Sequence, residues 1–272
     1  MPLTSLPHLQ LIGQCINPAR RADITCALRS KDYAMLAGLA CAQFAAGARY
    51  IDLCAALPGL DEAQVLRELL ETLSERCPDA VPVLDSPDPH ILKRALHGYK
   101  GPVVLNSTTA EPGRLYAMLD LAGEYSAQLI ALAMFRMPGD LDERLRALEA
   151  IAARADAIGF DRSALIADCL ALAECTHPGQ ASITLDALSL ARAQFGLRTV
   201  LGISNVSEGL PGRSLLRRTM LALAMARGLD FALCNPLDAE LHDEIYALNL
   251  LTGHDADAMD YIARMRSRGI GL

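Results

Sequence analysis

The chain has 272 residues and a formal net charge of −7, with 52% hydrophobic and 21% charged residues. That is enough apolar side chain for a sizeable single core, too much for a disordered chain, and too acidic for a protein that grips nucleic acid through a basic stripe. No apolar run reaches about 18 residues without a charge or a proline, so no membrane span is expected. The opening MPLTSLPHLQ has neither the basic nor the apolar stretch of a secretory signal, which makes the cytoplasm the expected location.

In chain order, short apolar runs of strand type alternate with longer stretches in which apolar residues recur at i, i+3 and i+4. Strands are expected at 9–17, 50–56, 81–86, 103–108, 128–134, 164–170, 199–205 and 231–235. The helices that follow them are expected at 34–46, 62–76, 89–96, 114–125, 141–155, 184–195, 214–227 and 239–250, and 255–272 reads as one more helix with a basic end. Eight strand–helix units with no linker or low-complexity tract between them predict a single α/β domain over 1–272, a (β/α)8 TIM barrel. The competing open, doubly wound sheet uses the same alternation but commonly fewer strands.

The inventory of reactive side chains excludes several chemistries. The eight cysteines show no C-x-x-C and sit largely in apolar runs, as reduced thiols rather than a zinc site. The six histidines form no H-x-H or H-E-x-x-H pair, so no protein-held metal is expected. Lysines occur only at Lys31, Lys93 and Lys100, and neither a P-loop nor a G-x-G-x-x-G turn is present. Schiff-base, nucleoside-triphosphate and dinucleotide chemistry are thereby disfavoured.

Strands of a parallel barrel are buried on both sides and are mostly apolar, yet here most end on a carboxylate or an amide. The first ends at Asn17, the second carries Asp52, the third Asp85, the fourth Asn106, the sixth Asp168, the seventh Asn205 and the eighth Asn235. Asp52 is as well explained by accepting loop N–H groups, and Asn17 and Asn235, each before a proline, by Asx-turns that end a strand. Asp85, Asn106, Asp168 and Asn205 are harder to account for structurally, since an unsatisfied buried polar group costs about 1–3 kcal/mol. The C-terminal ends of barrel strands converge on one mouth, where active sites are built. Two carboxylates and several amides, without lysine or metal ligands, suit a neutral heterocycle with adjacent N–H donors and carbonyl acceptors.

The same segments resemble the pterin-binding barrel family, and within it the methyltetrahydrofolate:corrinoid-protein methyltransferases, whose barrel is shared with a domain of cobalamin-dependent methionine synthase. The resemblance runs in order through nearly the whole chain: Ile12-Gly13-Gln14-Cys15-Ile16-Asn17, Leu84-Asp85-Ser86, Asn106-Ser107-Thr108, Asp168, and above all Gly202-Ile203-Ser204-Asn205-Val206-Ser207, continuing to Leu210-Pro211 and Arg213. It departs at Cys54, where the family commonly has Asn, and at Gln14, where it commonly has Glu. The resemblance implies that Asp85 and Asp168 hold the pyrimidine edge of the pterin with Asn106 on a neighbouring ring group, and that Asn17, Ser207 and Arg213 complete the substrate contacts. It further implies that Asn205 hydrogen-bonds N5 of methyltetrahydrofolate or tetrahydrofolate while the methyl group passes to or from the cobalt of a corrinoid (a cobamide) carried on a partner protein. No metal in this chain and a homodimer also follow from it. Dihydropteroate synthase, a related barrel, also uses a Lys near strand 7 and an S-R-x motif near strand 8. Here no Lys follows residue 100 and strand 8 ends Cys234-Asn235-Pro236. A non-catalytic pterin-binding subunit keeps the same residues, whereas a barrel hydrolase or aldolase with fortuitous strand-end polar groups would show no affinity for folates.

Overall fold

The computed structural model describes residues 8–271; the first seven residues of the opening segment and Leu272, the last residue of the expected tail helix, lie outside the described residues. Eight parallel strands close into a barrel in chain order. They are β1 (Gln10–Ile16), β2 (Tyr50–Cys54), β3 (Val81–Asp85), β4 (Val104–Thr108), β5 (Gln128–Leu132), β6 (Leu165–Asp168), β7 (Arg198–Gly202) and β8 (Phe231–Cys234), and β8 pairs back onto β1. Around them run α1 (Ala22–Ser30), α2 (Tyr33–Ala45), α3 (Glu62–Arg76), α4 (Pro89–Leu96), α5 (Pro112–Glu124), α6 (Leu141–Ala157), α7 (Gln180–Phe195), α8 (Arg213–Ala226), α9 (Ala239–Leu251) and α10 (Met259–Ser267). The single-domain TIM barrel read from the sequence is the architecture observed.

Closure divides the apolar residues into two bodies. Ile12, Val83, Val104, Ile130, Ile166 and Val200 belong to a small cluster inside the barrel. A much larger cluster lies between the strands and the ring of helices. The β-branched residues of the inner cluster fit a pleated surface whose alternate side chains must interdigitate across a narrow interior. Side chains alternate along a strand, so each position two residues beyond the inner cluster also points inward, one pleat nearer the C-terminal mouth.

Most acids in the strand-to-helix loops are accounted for locally. Asp32, Asp61, Asp88, Asp140 and Asp238 cap the N-termini of α2, α3, α4, α6 and α9, each accepting at least one backbone N–H, and Asp140 with Glu143 forms a complete capping box.

Several boundaries differ from the sequence reading. Strands β2, β5 and β6 each stop two residues early, and α7 starts four residues early, at Gln180. The connection from β1 contains α1, a nine-residue helix absent from the expected elements, although Ile24, Ala27 and Leu28 carry the i, i+3, i+4 spacing and are its buried residues. Strand β7 stops at Gly202, and Asn205 begins a 3-10 turn, Asn205–Ser207, rather than ending a strand. The tail helix is confined to Met259–Ser267, none of whose residues is buried.

Gly13 is needed for its size. Gln43 of α2 is 0% exposed and reaches under β1, where its Oε1 accepts the Cys15 N–H at 3.0 Å. That contact coincides with a register shift between Gly13 and Ile16 against β2. A β-carbon on Gly13 would lie 2.5 Å from Gln43 Oε1. Gly13→Ala is therefore expected to destabilise the protein by about 1–3 kcal/mol, the usual cost of overpacking, read as a lower urea midpoint with unchanged slope.

Candidate functional site

Each of three strands carries one residue that is not buried, and in each case it is polar and near the mouth. In β3 it is Asp85, in β4 Asn106 and in β6 Asp168. Each stands two residues beyond an inner-core residue, Val83, Val104 and Ile166 respectively, so all three point into the barrel mouth. Asp85 and Asn106 are direct register partners on neighbouring strands.

Beneath them lies Asp52 of β2, 2% exposed, whose Oδ1 accepts Asn106 Nδ2 at 3.3 Å. That bond fixes the rotation of the amide and leaves Asn106 Oδ1 as the outward acceptor. Burial raises the Asp52 carboxyl well above the ordinary carboxylate range, and the Asp85 charge adds to the effect. Asp85 is raised too, chiefly by burial, while the Cys54 thiol that donates to it pulls the other way. Asp52 was evenly balanced in the sequence between a structural and a functional reading; here it acts from below, on Asn106.

On β6, Asp168 Oδ1 accepts the Leu170 N–H at 2.8 Å, and among the described residues no donor holds its second oxygen. Burial raises its pKa to about 6, opposed by that hydrogen bond and by the charge of Arg144. The three mouth residues thus present a row of acceptors: the Asp85 carboxyl, the Asn106 carbonyl and the free Asp168 oxygen. Such a row matches the donor-rich edge of a ring carrying N–H and exocyclic NH2 groups.

The other side of the mouth is built from β1, β7 and β8. A cavity of about 410 Å³ opens there, lined among others by Gln14, Asn17, Asn205, Arg213 and Asn235. Gln14 Nε2 donates to Ser204 Oγ at 2.9 Å and ties the β1 end to the β7 turn. Asn205 lies over Gly202, whose hypothetical β-carbon would stand 2.9 Å from Asn205 Nδ2, so only glycine at this strand end admits the amide. Ser207 does not reach the cavity. It is 0% exposed and bonds Ser204 O at 2.9 Å, and its Oγ accepts Arg213 Nε at 3.3 Å, so it braces the turn and the arginine. Asn17 lines the cavity while its Oδ1 accepts the Ala19 N–H at 3.0 Å. Asn235 Oδ1 accepts the Leu237 N–H at 3.0 Å, the Asx-turn expected before Pro236.

Of the seven candidates, the structure pairs Asp85 with Asn106, sets Asp168 on the same rim, and gathers Asn17, Asn205 and Arg213 around one cavity. Cys54 and Gln14, which entered the sequence reading only as departures from a pattern, are hydrogen-bonded to Asp85 and to the Asn205 turn respectively. Arg144 was not singled out at all. Its signal was a charged residue on the apolar stripe of α6, in phase with Leu148, Ile151 and Ala155.

Comparison with known proteins agrees with the barrel architecture. Residues 22–235 match the model of the pterin-binding enzymes, and the chain belongs to that family. A methylcorrinoid:tetrahydrofolate methyltransferase of Eubacterium limosum is 25% identical over 266 residues, 96% of this chain and 97% of that protein. Methionine synthase of Mycobacterium leprae is 27% identical over 257 residues, covering 86% of this chain but only 20% of that longer protein. Among solved structures, the dihydropteroate synthase of Yersinia pestis in complex with a sulfonamide drug superposes with a TM-score of 0.69 at 18% identity, over 92% of this chain and 96% of that one. The enzyme of Xanthomonas albilineans with 7,8-dihydropteroate gives 0.65 at 18% identity, over 91% and 94%. At these identities the likeness to the solved structures is one of fold.

The raised Asp168 pKa has a consequence for stability. Between the ordinary value of 3.8 and about 6 the folded protein holds a proton that the unfolded chain has lost. Stability therefore falls as pH rises through that window and stays at the lower level above it. Asp168→Asn removes the buried charge, so the variant is expected to be more stable than the parent at pH 7.5 by on the order of 1–3 kcal/mol. The gain should shrink to nothing below the window, in paired urea titrations at the two pH values.

Proposed function

We propose that the chain, working as one pterin-binding unit over residues 1–272, moves a methyl group between N5 of methyltetrahydrofolate and the cobalt of a corrinoid carried on a partner protein. The observation that carries this reading is the row of partly open acceptors, Asp85, Asn106 and Asp168, on strands that are otherwise buried. A pterin presents a ring N–H and an amino group side by side, and a carboxylate accepts both at once. The near full-length likeness to a methylcorrinoid:tetrahydrofolate methyltransferase supports the choice of reaction.

In this reading Asp85 and Asp168 accept from the pyrimidine edge, and Asn106, its amide turned by Asp52, accepts beside them. Asn205, seated over Gly202, stands on the adjoining side of the mouth and hydrogen-bonds N5. When the methyl group leaves N5, the electron pair of the N–C bond stays on nitrogen, which takes a proton, and Co(I) supplies the pair for the new Co–C bond. Charge changes at N5 during that step, and a fixed neutral amide stabilises it without a covalent intermediate. Asn17, Ser207 and Arg213 support the rest of the folate, Ser207 by holding the Arg213 guanidinium. The corrinoid is too large to be enclosed together with folate, so it arrives on a separate protein docking over the mouth. A homodimer acting in the cytoplasm completes the proposal by resemblance.

The test is titration of the full chain with methyltetrahydrofolate, followed by a cob(I)alamin methylation assay. Saturable binding that weakens about tenfold per pH unit below the Asp168 pKa of about 6 is expected. Absence of folate binding overturns the reading, and binding without methyl transfer reduces it to a pterin-binding subunit. Asn205→Ala is expected to lower kcat/KM by about 10²-fold, the scale of losing one positioned hydrogen-bonding group, with an unchanged rate refuting its role.

A further inference from the structure

Helix α6 turns one arginine inward. Arg144 is 0% exposed, the bulkiest of the fully buried side chains. The acceptors it reaches are all neutral. Nε donates to the Gly139 carbonyl at 3.2 Å, and one terminal nitrogen donates to the carbonyls of Cys169 at 2.7 Å and Leu170 at 3.1 Å and to Thr184 Oγ1 at 3.0 Å. The other terminal nitrogen donates to Gln180 Oε1. A guanidinium removed from water is costly unless its position brings something in return, and this one grips two successive carbonyls immediately after Asp168.

The second of those carbonyls belongs to Leu170, which has φ +65°. A branched L side chain rarely adopts that left-handed region, and such a residue persists only where its surroundings over-determine it. The Leu170 carbonyl accepts from Arg144 at 3.1 Å and stands 2.9 Å from Thr184 Oγ1, whose single proton it shares with the Gln180 carbonyl at 2.8 Å. The Leu170 N–H shares one planar peptide unit with the Cys169 carbonyl that Arg144 holds, and it donates to Asp168 Oδ1 at 2.8 Å.

The geometry points to Arg144 as the positioning residue of Asp168: it pins the Cys169 and Leu170 carbonyls, holds Leu170 left-handed, and so fixes the carboxyl with its second oxygen open to the mouth. Arg144 touches no substrate itself. Its charge acts on the same carboxyl through space, favouring the anion against the burial that disfavours it. Asp168 feels one charge among the described residues, that of Arg144. Its register partners are Leu132 of β5 and Val200 of β7, α7 offers Thr184 and Gln180, and burial keeps the adjacent Cys169 thiol protonated. The functional meaning of this device rests on the proposed pterin contact of Asp168, but the device itself is measurable without any ligand.

The experiment follows the Asp168 carboxyl by carbon NMR in the free full chain, its signal assigned by loss in Asp168→Asn. Arg144→Met keeps much of the volume and removes both charge and hydrogen bonds. Its Asp168 midpoint is expected to rise by about one pH unit, the low end of what a nearby opposite charge produces. Arg144→Lys, which keeps a charge but not the fork, should recover part of that shift. Thr184→Val, which leaves the arginine in place but removes one hold on Leu170, should alter the Leu170 amide shift with a smaller change in midpoint. Should Arg144→Met not fold, Arg144→Lys and Thr184→Val decide the matter by the same two signals. Unchanged Asp168 and Leu170 signals in the folded variants overturn the inference. A second reading is the affinity for methyltetrahydrofolate, expected to fall about twofold at pH 7 and close to tenfold at about pH 5 in Arg144→Met, and to recover toward higher pH. If the parent chain binds no folate while the NMR shifts appear, the pterin reading fails and the positioning role stands.

Discussion

A closed parallel barrel leaves a polar side chain few places to sit. Its strands are covered inside by each other and outside by helices, so a carboxyl or amide part-way along a strand must be paired within the protein or surrender its hydration. Only at the C-terminal rim does the interior meet solvent. Asp52 shows the buried condition, with the Asn106 amide against it and its pKa driven upward. One pleat higher, Asp85, Asn106 and Asp168 are partly open and retain acceptor atoms that no donor among the described residues fills. The contrast between adjacent layers of one barrel is what singles out the rim as the candidate site.

Polar residues at the mouth divide by what they do for the backbone. The aspartates that cap α2, α3, α4, α6 and α9 satisfy helix N-termini; α3, α4, α6 and α9 each follow a strand directly and so begin at this end, while α2 follows α1. Asn17, Asn235 and Ser207 secure turns. Once these are set aside, the residues with unspent hydrogen-bonding capacity are few: Asp85, Asn106 and Asp168 at the ends of β3, β4 and β6, and Asn205 in the turn after β7, beside a cavity that the other three do not line. The second tier, Asp52 under Asn106, Gly202 under Asn205, Ser207 behind Arg213 and Arg144 behind Asp168, is what turns a set of strand-end side chains into fixed acceptors and donors. Precision of this kind requires rotamers locked from behind.

Much of the fold was legible because alternation and helical periodicity are strong in this chain. Helices α3 and α4 and the starts of β2, β3, β5 and β8 fall where the pattern puts them. Helix α1 spans only nine residues, so the i, i+3, i+4 spacing of Ile24, Ala27 and Leu28 completes a single repeat that does not stand out from the loop leading to α2. The end of β7 was overrun because Ile203 and Val206 are buried in a turn, where they read as strand residues. The tail helix was drawn too long because its stripe meets no core. At the site, the strand-end carboxylates and amides were visible as exceptions in apolar runs. Ser207 shows the opposite case, a hydroxyl whose position in a motif says nothing about which way it points.

The amino-acid sequence by itself determined the eightfold alternation, hence the barrel, and the residue types at its rim, because both depend on local periodicity and on which side chains tolerate burial. The tertiary structure alone decided which of those side chains are free. Asp52 and Asp85 stand one pleat apart in register and solvation, Asn106 has its amide turned by a strand two places away in the barrel, and Asp168 is governed by an arginine 24 residues earlier on a helix outside it. These relations arise from through-space pairing across elements distant in the chain, and no periodicity along one segment encodes the direction in which a side chain finds its partner.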